Sequence, residues 1–472
     1  MDDCRKTYRP WDPNEGRQRA YVPAEVLPED DLVFFLMDTI SEMDLRPFSD
    51  YYERELRGQP PFDVTLMVTL LVYSYAVGVF SSRKIAAACE RNLAFKVIVG
   101  TDPPDFRTIS DFRKIHGEAF RNLFLEVLQL AGKLGMVRLG NLSTDGTKIE
   151  ANASRHKAMS YGYMEKEMKR LKAEIEKLLQ QAEQVDAEQD AALGSRRGDE
   201  LPAELKRREE RLEKIRQAKS RLEAEAKARA EEEQRRRAEE ESRRQAAGKS
   251  RGGRRRAACK PTPEEKAQTN FTDAEAKMMK RSNKGFDYCY NAQAVVDGAE
   301  QIIVAAELTA EANDKRQAVP MAAAAVSNLQ AAGIGHPVDE SGKPRKIPNT
   351  ADNGYFSEEA VEELEKLGMD PHIAVGRQKH HESEAGGHAV ASGDMAGVKE
   401  RMAEKLRTAG GRVLYAARKH IVEPVFGQIK QARGFRKFLL RGLAKVAAEW
   451  HLICLTHNLL KIWRFKMLTP GP

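Results

Sequence analysis

Three acidic residues lie far apart in the chain, at positions suited to a phosphoryl-transfer site. Asp145 follows the strand-like run 136–144, and Asp352 follows a second such run, 346–351. Glu423 lies early in a long helical segment near the C-terminus. Strand ends in an α/β sheet point side chains into a shared crevice, so distant residues can meet there. The pattern therefore predicts a cluster of three carboxylates.

Converging carboxylates repel one another unless cations lie among them. Carboxylate oxygens are the ligands that Mg²⁺ prefers, because the ion is hard and oxygen-seeking. Two such ions about 3.5–4 Å apart can activate an attacking oxygen and stabilise a leaving oxygen at phosphorus. The predicted cofactor is Mg²⁺, with Mn²⁺ as a possible substitute, and the predicted chemistry is phosphoryl transfer.

Each acid also has a simpler interpretation. Asp145 and the following glycine form a common turn pair, and Asp352 begins an Asp-Asn-Gly run that is typical of hairpin turns. Glu423, near a helix start, could simply favour the helix dipole. Taken singly, these interpretations are stronger than catalysis, so the hypothesis depends on the arrangement of all three residues.

Basic residues surround the third acid. Glu423, Phe426 and Lys430 are spaced i, i+3 and i+7, which predicts one helix face carrying a carboxylate and a phosphate-binding ammonium. Further cations extend this surface: Lys419, Arg433, Arg436, Lys437 and Arg441. An ordinary solvated basic helix is the alternative interpretation.

The elements that would position these residues divide the chain into four segments. Residues 1–136 form a predicted helical N-terminal DNA-binding domain, although a helical bundle without DNA contacts fits this pattern equally well. Residues 137–160 begin a predicted α/β catalytic domain. Residues 263–472 complete it with a strand hairpin (288–296 and 301–306), a helix (318–332), the strand before Asp352, a helix capped by Ser357, and C-terminal helices.

The segment 161–262 is predicted to be a charged helical insertion followed by a basic linker. Met164, Met168, Leu171, Ile175 and Leu178 begin a heptad seam. After a break at 194–202, a second seam follows: Leu205, Leu212, Ile215 and Leu222. Two seams around a short break predict an antiparallel helical hairpin, and the coiled-coil pattern fades after residue 226.

Composition narrows the functional classes. The 472-residue chain carries a net charge of +7, which favours an anionic partner. Its five cysteines lack CxxC spacing, and the first thirty residues lack a secretory apolar stretch, so we expect a cytoplasmic protein.

The apolar run 64–80 is best interpreted as a buried helix rather than a membrane span. His380 and His381 lack the HExxH spacing of a metal site, and no phosphate-binding loop motif is present.

Several motifs in order resemble bacterial insertion-sequence transposases of the DDE class, with the insertion-sequence 1182 family as the best match. The motifs in the C-terminal two thirds are Ser143-Thr-Asp-Gly-Thr-Lys-Ile-Glu-Ala-Asn-Ala-Ser, Tyr290-Asn-Ala-Gln-Ala-Val-Val-Asp, Ala351-Asp-Asn-Gly-Tyr-Phe-Ser and Val422-Glu-Pro-Val-Phe-Gly-Gln-Ile-Lys. Those in the N-terminal part are Arg57-Gly-Gln-Pro-Pro-Phe-Asp, Ser81-Ser-Arg-Lys-Ile and Thr108-Ile-Ser-Asp-Phe-Arg, the last ending at Arg113. The resemblance spans most of the chain outside about 165–260.

The resemblance implies a ribonuclease H-like catalytic domain, preceded by an α-helical domain and interrupted by the helical insertion, with Asp145, Asp352 and Glu423 as the metal-binding triad. It also implies binding of double-stranded DNA at the element's terminal inverted repeats, cleavage, and attack of a 3′-hydroxyl on target DNA. Synapsis of two ends implies a homodimer on DNA, and the location implied is the bacterial cytoplasm in association with the nucleoid.

Related transposases carry a Tyr-x2-Arg-x3-Glu-x6-Lys signature around the third acid. Tyr415 and Arg418 keep the first spacing, and Lys430 keeps the last. Four residues rather than three separate Arg418 from Glu423, whereas Lys419 has the family spacing, so either cation fits the arginine position. The DNA-contacting residues expected on this basis are Tyr415, Arg418, Lys419, Lys430, Arg433 and, in the N-terminal domain, Arg113.

Three other functions compete with this interpretation. A transposase-derived DNA-binding protein without catalysis would be expected to have lost an acid, whereas all three are present. A coiled-coil scaffold would depend on the segment 161–262 rather than on the flanking motifs. A nuclease that hydrolyses DNA without joining strands cannot be distinguished from a transposase by sequence.

Overall fold

A computed structural model describes residues 22–54, 60–193, 203–246, 248, 260–281, 285–338, 340–376 and 397–469. The first 21 residues of the predicted N-terminal domain, most of the basic linker, and the run containing His380 and His381 lie outside the described residues. The described residues up to Ala119, together with those from Ile462 onward, form one compact unit, and Phe120–Lys461 forms a second.

The N-terminal part of the chain is helical. Its helices are α1 (Pro23–Val26), α2 (Leu32–Ser41), α3 (Arg46–Ser49), α4 (Val64–Ala76), α5 (Ser82–Arg91), α6 (Leu93–Val99), α7 (Phe106–Ile115) and α8 (Gly117–Lys133). Helix α4 is buried along most of its length, as the apolar run predicted. None of the described helices is both long enough and apolar enough to cross a membrane.

Aspartates cap the principal helices of this unit. Asp31, Asp63 and Asp105 each accept a hydrogen bond from a backbone amide in the first turn of α2, α4 and α7. The hydroxyl residues Ser82, Thr108 and Ser110 are also of a typical capping type, but they lie inside α5 and α7. A carboxylate two or three residues before a first-turn amide accepts a hydrogen bond from that amide, so α7 begins at Phe106, three residues before the start that a Thr108 cap would give.

The second unit is built on a six-stranded mixed sheet. The strands of the chain are β1 (Leu142–Glu150), β2 (Ala158–Ser160), β3 (Gln268–Asn270), β4 (Lys277–Lys280), β5 (Phe286–Asp297), β6 (Ile303–Thr309), β7 (Ile347–Ala351) and β8 (Met369–Ile373). The order is β4-β5-β1-β7-β8, and β6 also pairs with β5. Strand β1 is antiparallel to β5 and parallel to β7, and β7 is parallel to β8. Strands β2 and β3 form a separate antiparallel pair.

Strand β1 differs from its prediction. The expected strand was 136–144 with Asp145 at its end, but Asp145 lies inside β1, opposite Ala294. The twelve-residue strand β5 pairs with β1 from Leu142 to Glu150, so the ladder continues past the acid. The strand predicted before Asp352 is confirmed, since β7 ends at Ala351.

Two long helices occupy the predicted insertion: α9 (Tyr161–Leu193) and α10 (Ala203–Ala246). They share a core of residues from both predicted seams, namely Met164, Leu171, Leu212, Ile215 and Leu222. Lys219 pairs with Glu165, and Arg208 pairs with Glu174, so the helices run antiparallel. The insertion leaves and re-enters the second unit beside the paired strands β2 and β3.

The remaining helices are α11 (Ala318–Ala331), α12 (Glu358–Lys366), α13 (Val398–Arg407), α14 (Ala409–Gly427) and α15 (Leu443–Leu468). Helix α14 packs against β1, β5, β7 and β8. Helix α15 inserts the fully buried Trp450, whose indole N–H donates to the Gln293 carbonyl at 3.0 Å. Ser357 caps α12, as predicted.

Candidate active site

Asp145 lies on the face of β1 that packs against α14. One carboxylate oxygen, Oδ2, accepts a hydrogen bond from Arg418 Nη1 at 3.2 Å, and the other accepts the Gly146 amide at 2.8 Å. Burial raises the pKa of Asp145 to about 6. The Gly146 amide and the Arg418 charge lower the pKa, whereas the charges of Asp352 and Asp314 raise it further. This carboxyl is therefore in a poorly solvated, acidic neighbourhood.

Strand pairing places Asp352 close to Asp145. Ala351, the last residue of β7, pairs with Thr144 of β1, so Asp352 and Asp145 are the next residues along two adjacent parallel strands. Asp352 Oδ1 accepts the Gly354 amide at 2.7 Å and so starts the 3₁₀ turn Asn353–Tyr355. Parallel pairing thus brings the first two acids together.

Glu423 lies in α14, but near the end of the helix and not near its start as predicted, because α14 begins at Ala409 and ends at Gly427. Its Oε1 lies 3.8 Å from Arg418 Nη2, while Nη1 of the same guanidinium bonds Asp145. The Arg418 side chain is only 13% exposed, whereas that of Glu423 is 53% exposed. One buried cation therefore contacts the first and third acids, which come from a strand and a helix on opposite sides of the insertion.

The donor chemistry of the three acids fits a hard divalent cation. Among the residues that the structure describes, no group of three or more His, Cys, Asp or Glu side chains is close enough together to hold a metal ion. The Arg418 guanidinium occupies the space between Asp145 and Glu423, and its Nε is buried without a hydrogen-bond partner. A cation shared by Asp145 and Glu423 would therefore require Arg418 to leave Asp145.

Lys430 lies beside the first acid. Its ammonium donates to Thr147 Oγ1, and Thr147 is on the same face of β1 as Asp145, two residues along. Burial lowers the pKa of Lys430, and the neighbouring Arg281 charge lowers it further. Tyr415 is half-buried one turn before Arg418. Lys419 is exposed, so in this structure Arg418, not Lys419, is the cation that contacts the acids.

The expected helix face around Glu423 is not continuous. Phe426 is buried and stacks on Trp450 at a ring-centroid distance of 6.5 Å. Helix α14 ends at Gly427, and Lys430 belongs to a π-helical turn, Gln428–Ala432. The i to i+7 spacing therefore does not place Glu423 and Lys430 on one solvated face. Glu423 contacts Arg418 from α14, whereas Lys430 bonds Thr147 of β1 from the π-helical turn. Such π-helical turns are common at functional sites.

Two of the expected DNA-contacting arginines are buried. Arg433 donates to Thr456 Oγ1 at 2.6 Å and to the Ile453 carbonyl. Arg113 donates to the Tyr75 hydroxyl at 2.7 Å and to the Phe80 carbonyl at 3.0 Å. Both were expected on a DNA-binding surface, but each uses its guanidinium to satisfy polar groups inside its own unit.

A second set of polar residues lies on the other face of β1, and sequence analysis missed most of it. It consists of Lys148, Asn291, Gln293, Asp314 and Tyr355. Gln293 is fully buried, and both ends of its side-chain amide bond protein groups. The remaining members carry no local sequence signal, because they meet only through strand pairing and the turns after β6 and β7.

Two family models match the chain. The transposase domain DUF772 matches residues 22–115, within the helical N-terminal unit. The transposase DDE domain matches residues 258–459, which include Asp352 and Glu423 but not Asp145. No curated protein and no solved structure shows significant similarity to the chain. The two matched transposase domains, in this order on one chain, support a DDE transposase of insertion sequences.

Proposed function

We propose that this protein binds the ends of its insertion element and catalyses metal-dependent DNA cleavage and strand transfer, with Asp145, Asp352 and Glu423 as the metal-binding acids. The observation that carries the proposal is the double contact of Arg418 with Asp145 and Glu423, beside the turn that holds Asp352. The mixed sheet with α14 on one face is compatible with a ribonuclease H-like domain, and the motifs favour the insertion-sequence 1182 family.

The three acids would hold Mg²⁺, or Mn²⁺ in its place, and the cation would supply Lewis-acid activation of the attacking oxygen and stabilise the leaving oxygen. With a pKa near 6, Asp145 is mostly ionised at neutral pH and is available as a ligand. Arg418 then exchanges its carboxylate partner for a DNA phosphate, since a guanidinium forms charge-assisted bonds to either anion.

Lys430 is placed to hold a second phosphate near Asp145, and Thr147 orients its ammonium in the absence of DNA. Tyr415 and the exposed Lys419 extend the proposed DNA-contacting surface along α14. Arg433 and Arg113 are left out of this surface because they are buried.

The wider organisation follows from the same proposal. Residues 1–136 serve as the DNA-binding domain, residues 137–160 and 263–472 form the catalytic domain, and residues 161–262 are an insertion between β2 and β3. Two DNA ends must be held together, so the active form on terminal inverted repeats and target DNA is a homodimer. We place it in the bacterial cytoplasm, associated with the nucleoid.

The test is cleavage and strand joining on labelled DNA that flanks this gene, with Mg²⁺ or Mn²⁺ and with DNA binding measured in parallel. The variants are Asp145→Asn, Asp352→Asn and Glu423→Gln, and Glu358→Gln on the exposed face of α12 is the matched control. The proposal expects the three variants to bind but not to cleave, and the control to do both. Wild type that binds without cleaving would instead establish a DNA-binding protein without catalysis.

A further inference from the structure

Asp314 is a fourth acid beside the candidate active site, and it is tied to both central strands. Its carboxylate accepts hydrogen bonds from Lys148 Nζ at 3.0 Å, Asn291 Nδ2 at 2.6 Å and Gln293 Nε2 at 2.8 Å. Lys148 belongs to β1, and the two amides belong to β5. The Asp314 side chain is 24% exposed, and Lys148 compensates its charge. These charge-assisted hydrogen bonds anchor Asp314 to β1 and β5.

Gln293 extends this anchor to the turn that holds Asp352. Its Nε2 donates to Asp314, and its Oε1 accepts the hydroxyl of Tyr355. Tyr355 is fully buried and ends the 3₁₀ turn that begins directly after Asp352. The turn that starts at Asp314 also packs against this turn. A continuous chain of polar contacts therefore runs from Lys148, three residues after the first acid, to Tyr355, three residues after the second.

Gly146 provides the room for this chain of contacts. It lies directly opposite Gln293 in the β1–β5 ladder. A Cβ atom at residue 146 would lie 2.1 Å from Gln293 Nε2 and 3.0 Å from Asn291 Oδ1, so any side chain would displace the amide. The glycine that follows Asp145 is thus required by a close approach, not by backbone conformation.

We propose that Asp314 is a positioning residue for the strand-cleavage reaction: through Gln293 and Tyr355 it fixes the Asp352 turn relative to Asp145. The inference rests on the proposed function, since it assigns Asp314 a role in the geometry of that same site. Asp314 acts through other residues rather than as a metal ligand, because three donors already engage its oxygens.

The first measurement is hydrogen exchange of the amides of Gly354, Tyr355 and Phe356, which bond within the Asp352 turn. We compare wild type with Asp314→Ala and Tyr355→Phe. Glu311→Gln is the control, an exposed neighbouring acid that pairs with Arg316. The proposal expects exchange in this turn to accelerate about tenfold in the first two variants and not in the control. Unchanged exchange in Asp314→Ala overturns it, whether or not the protein cleaves DNA.

The second measurement separates positioning from metal ligation. Cleavage by Asp314→Ala should fall about tenfold to a hundredfold, because small misplacements of reacting groups are costly, while DNA affinity stays unchanged. Mn²⁺ binding, followed by electron paramagnetic resonance, should weaken but persist. The double variant with Tyr355→Phe should be no slower than the slower single variant, because both act in one network.

Two results would overturn the proposal. Complete loss of Mn²⁺ binding in Asp314→Ala alone would make Asp314 a ligand. If the double variant slowed cleavage by the product of the two single effects, Asp314 and Tyr355 would act independently of each other. If wild type does not cleave DNA at all, the proposed function fails, while the exchange experiment still decides whether Asp314 fixes the turn.

Discussion

Replacing Arg418 with methionine removes the guanidinium that contacts Asp145 and Glu423 while retaining much of the side-chain volume. The Asp145 contact, at 3.2 Å between two mostly buried side chains, is a charge-assisted hydrogen bond worth about 1.5–3 kcal/mol. The Glu423 contact, at 3.8 Å to a half-exposed carboxylate, contributes about 0–1 kcal/mol. We therefore expect Arg418→Met to lower the free energy of unfolding by about 2 kcal/mol at neutral to alkaline pH without metal.

The stability that Arg418→Met removes should be smaller at low pH. The folded-state pKa of Asp145, about 6, lies above its ordinary value, so ionisation of this carboxyl destabilises the fold as pH rises through 6. Arg418 reduces that penalty, and its removal raises the pKa of Asp145 further. At about pH 5 the carboxyl is mostly protonated in both proteins, so the cost of Arg418→Met should shrink to under about 1 kcal/mol.

The assay is urea unfolding followed by circular dichroism, with a chelator present, at about pH 8 and about pH 5. Lys419→Met, the exposed neighbour on α14, is the control and should change stability by less than about 0.5 kcal/mol. Equal losses at both pH values, or no loss at pH 8, would refute the argument that Arg418 stabilises an ionised, poorly solvated Asp145.

Three further predictions concern the surroundings of the site. Gly146→Ala should destabilise the protein by about 1–3 kcal/mol in urea unfolding, because the new methyl group displaces the buried Gln293 amide; an unchanged midpoint would contradict this. Arg433→Ala should lower stability by about 2–4 kcal/mol yet leave the DNA affinity of the folded protein unchanged, since Arg433 is buried; a selective loss of DNA binding would contradict it. Burial lowers the pKa of His451 to about 4, so the unfolded chain takes up a proton that the native state excludes as pH falls from about 6.5 to 4. Over this interval the free energy of unfolding of wild type should therefore fall by about 3 kcal/mol more than that of His451→Gln, measured by urea midpoints. Equal decreases in the two proteins would contradict the lowered pKa of His451.

Local patterns in the sequence predicted the elements on either side of the second acid. The strand before Asp352 and the Ser357-capped helix after it were both placed correctly, because alternation and capping are local signals. The extent of β1 was not predictable from its own residues. Its second half, through Thr147 and Lys148, is polar on both faces and is a strand only because β5 pairs with it.

In the C-terminal region, the continuous helix that was predicted is wrong. The residues from 419 onward have high helix propensity, so sequence analysis predicted one helix with Glu423 and Lys430 on a shared face. The π-helical turn and the left-handed Gly434, at φ 76°, interrupt it before α15 begins. These features let Phe435 and Phe438 enter the core, and core packing of this kind is not visible in periodicity.

The Asp314 cluster could not be predicted at all. Its members come from β1, β5 and the turns after β6 and β7, and each looks like an ordinary strand or turn residue. Buried amide networks depend on strand register and close backbone approach, which a single sequence does not encode in any local pattern.

We propose one divalent cation site, built from residues of β1, the turn after β7, and α14. Fe²⁺ can replace Mg²⁺ at such oxygen ligands, and with ascorbate and peroxide it generates radicals that cut the nearest polypeptide. We predict cleavage of the chain near Asp145, Asp352 and Glu423, suppressed by excess Mg²⁺ and lost in Asp145→Asn. Cleavage confined to other segments, or cleavage that Mg²⁺ and Asp145→Asn leave unchanged, would contradict the claim that these three acids form the site.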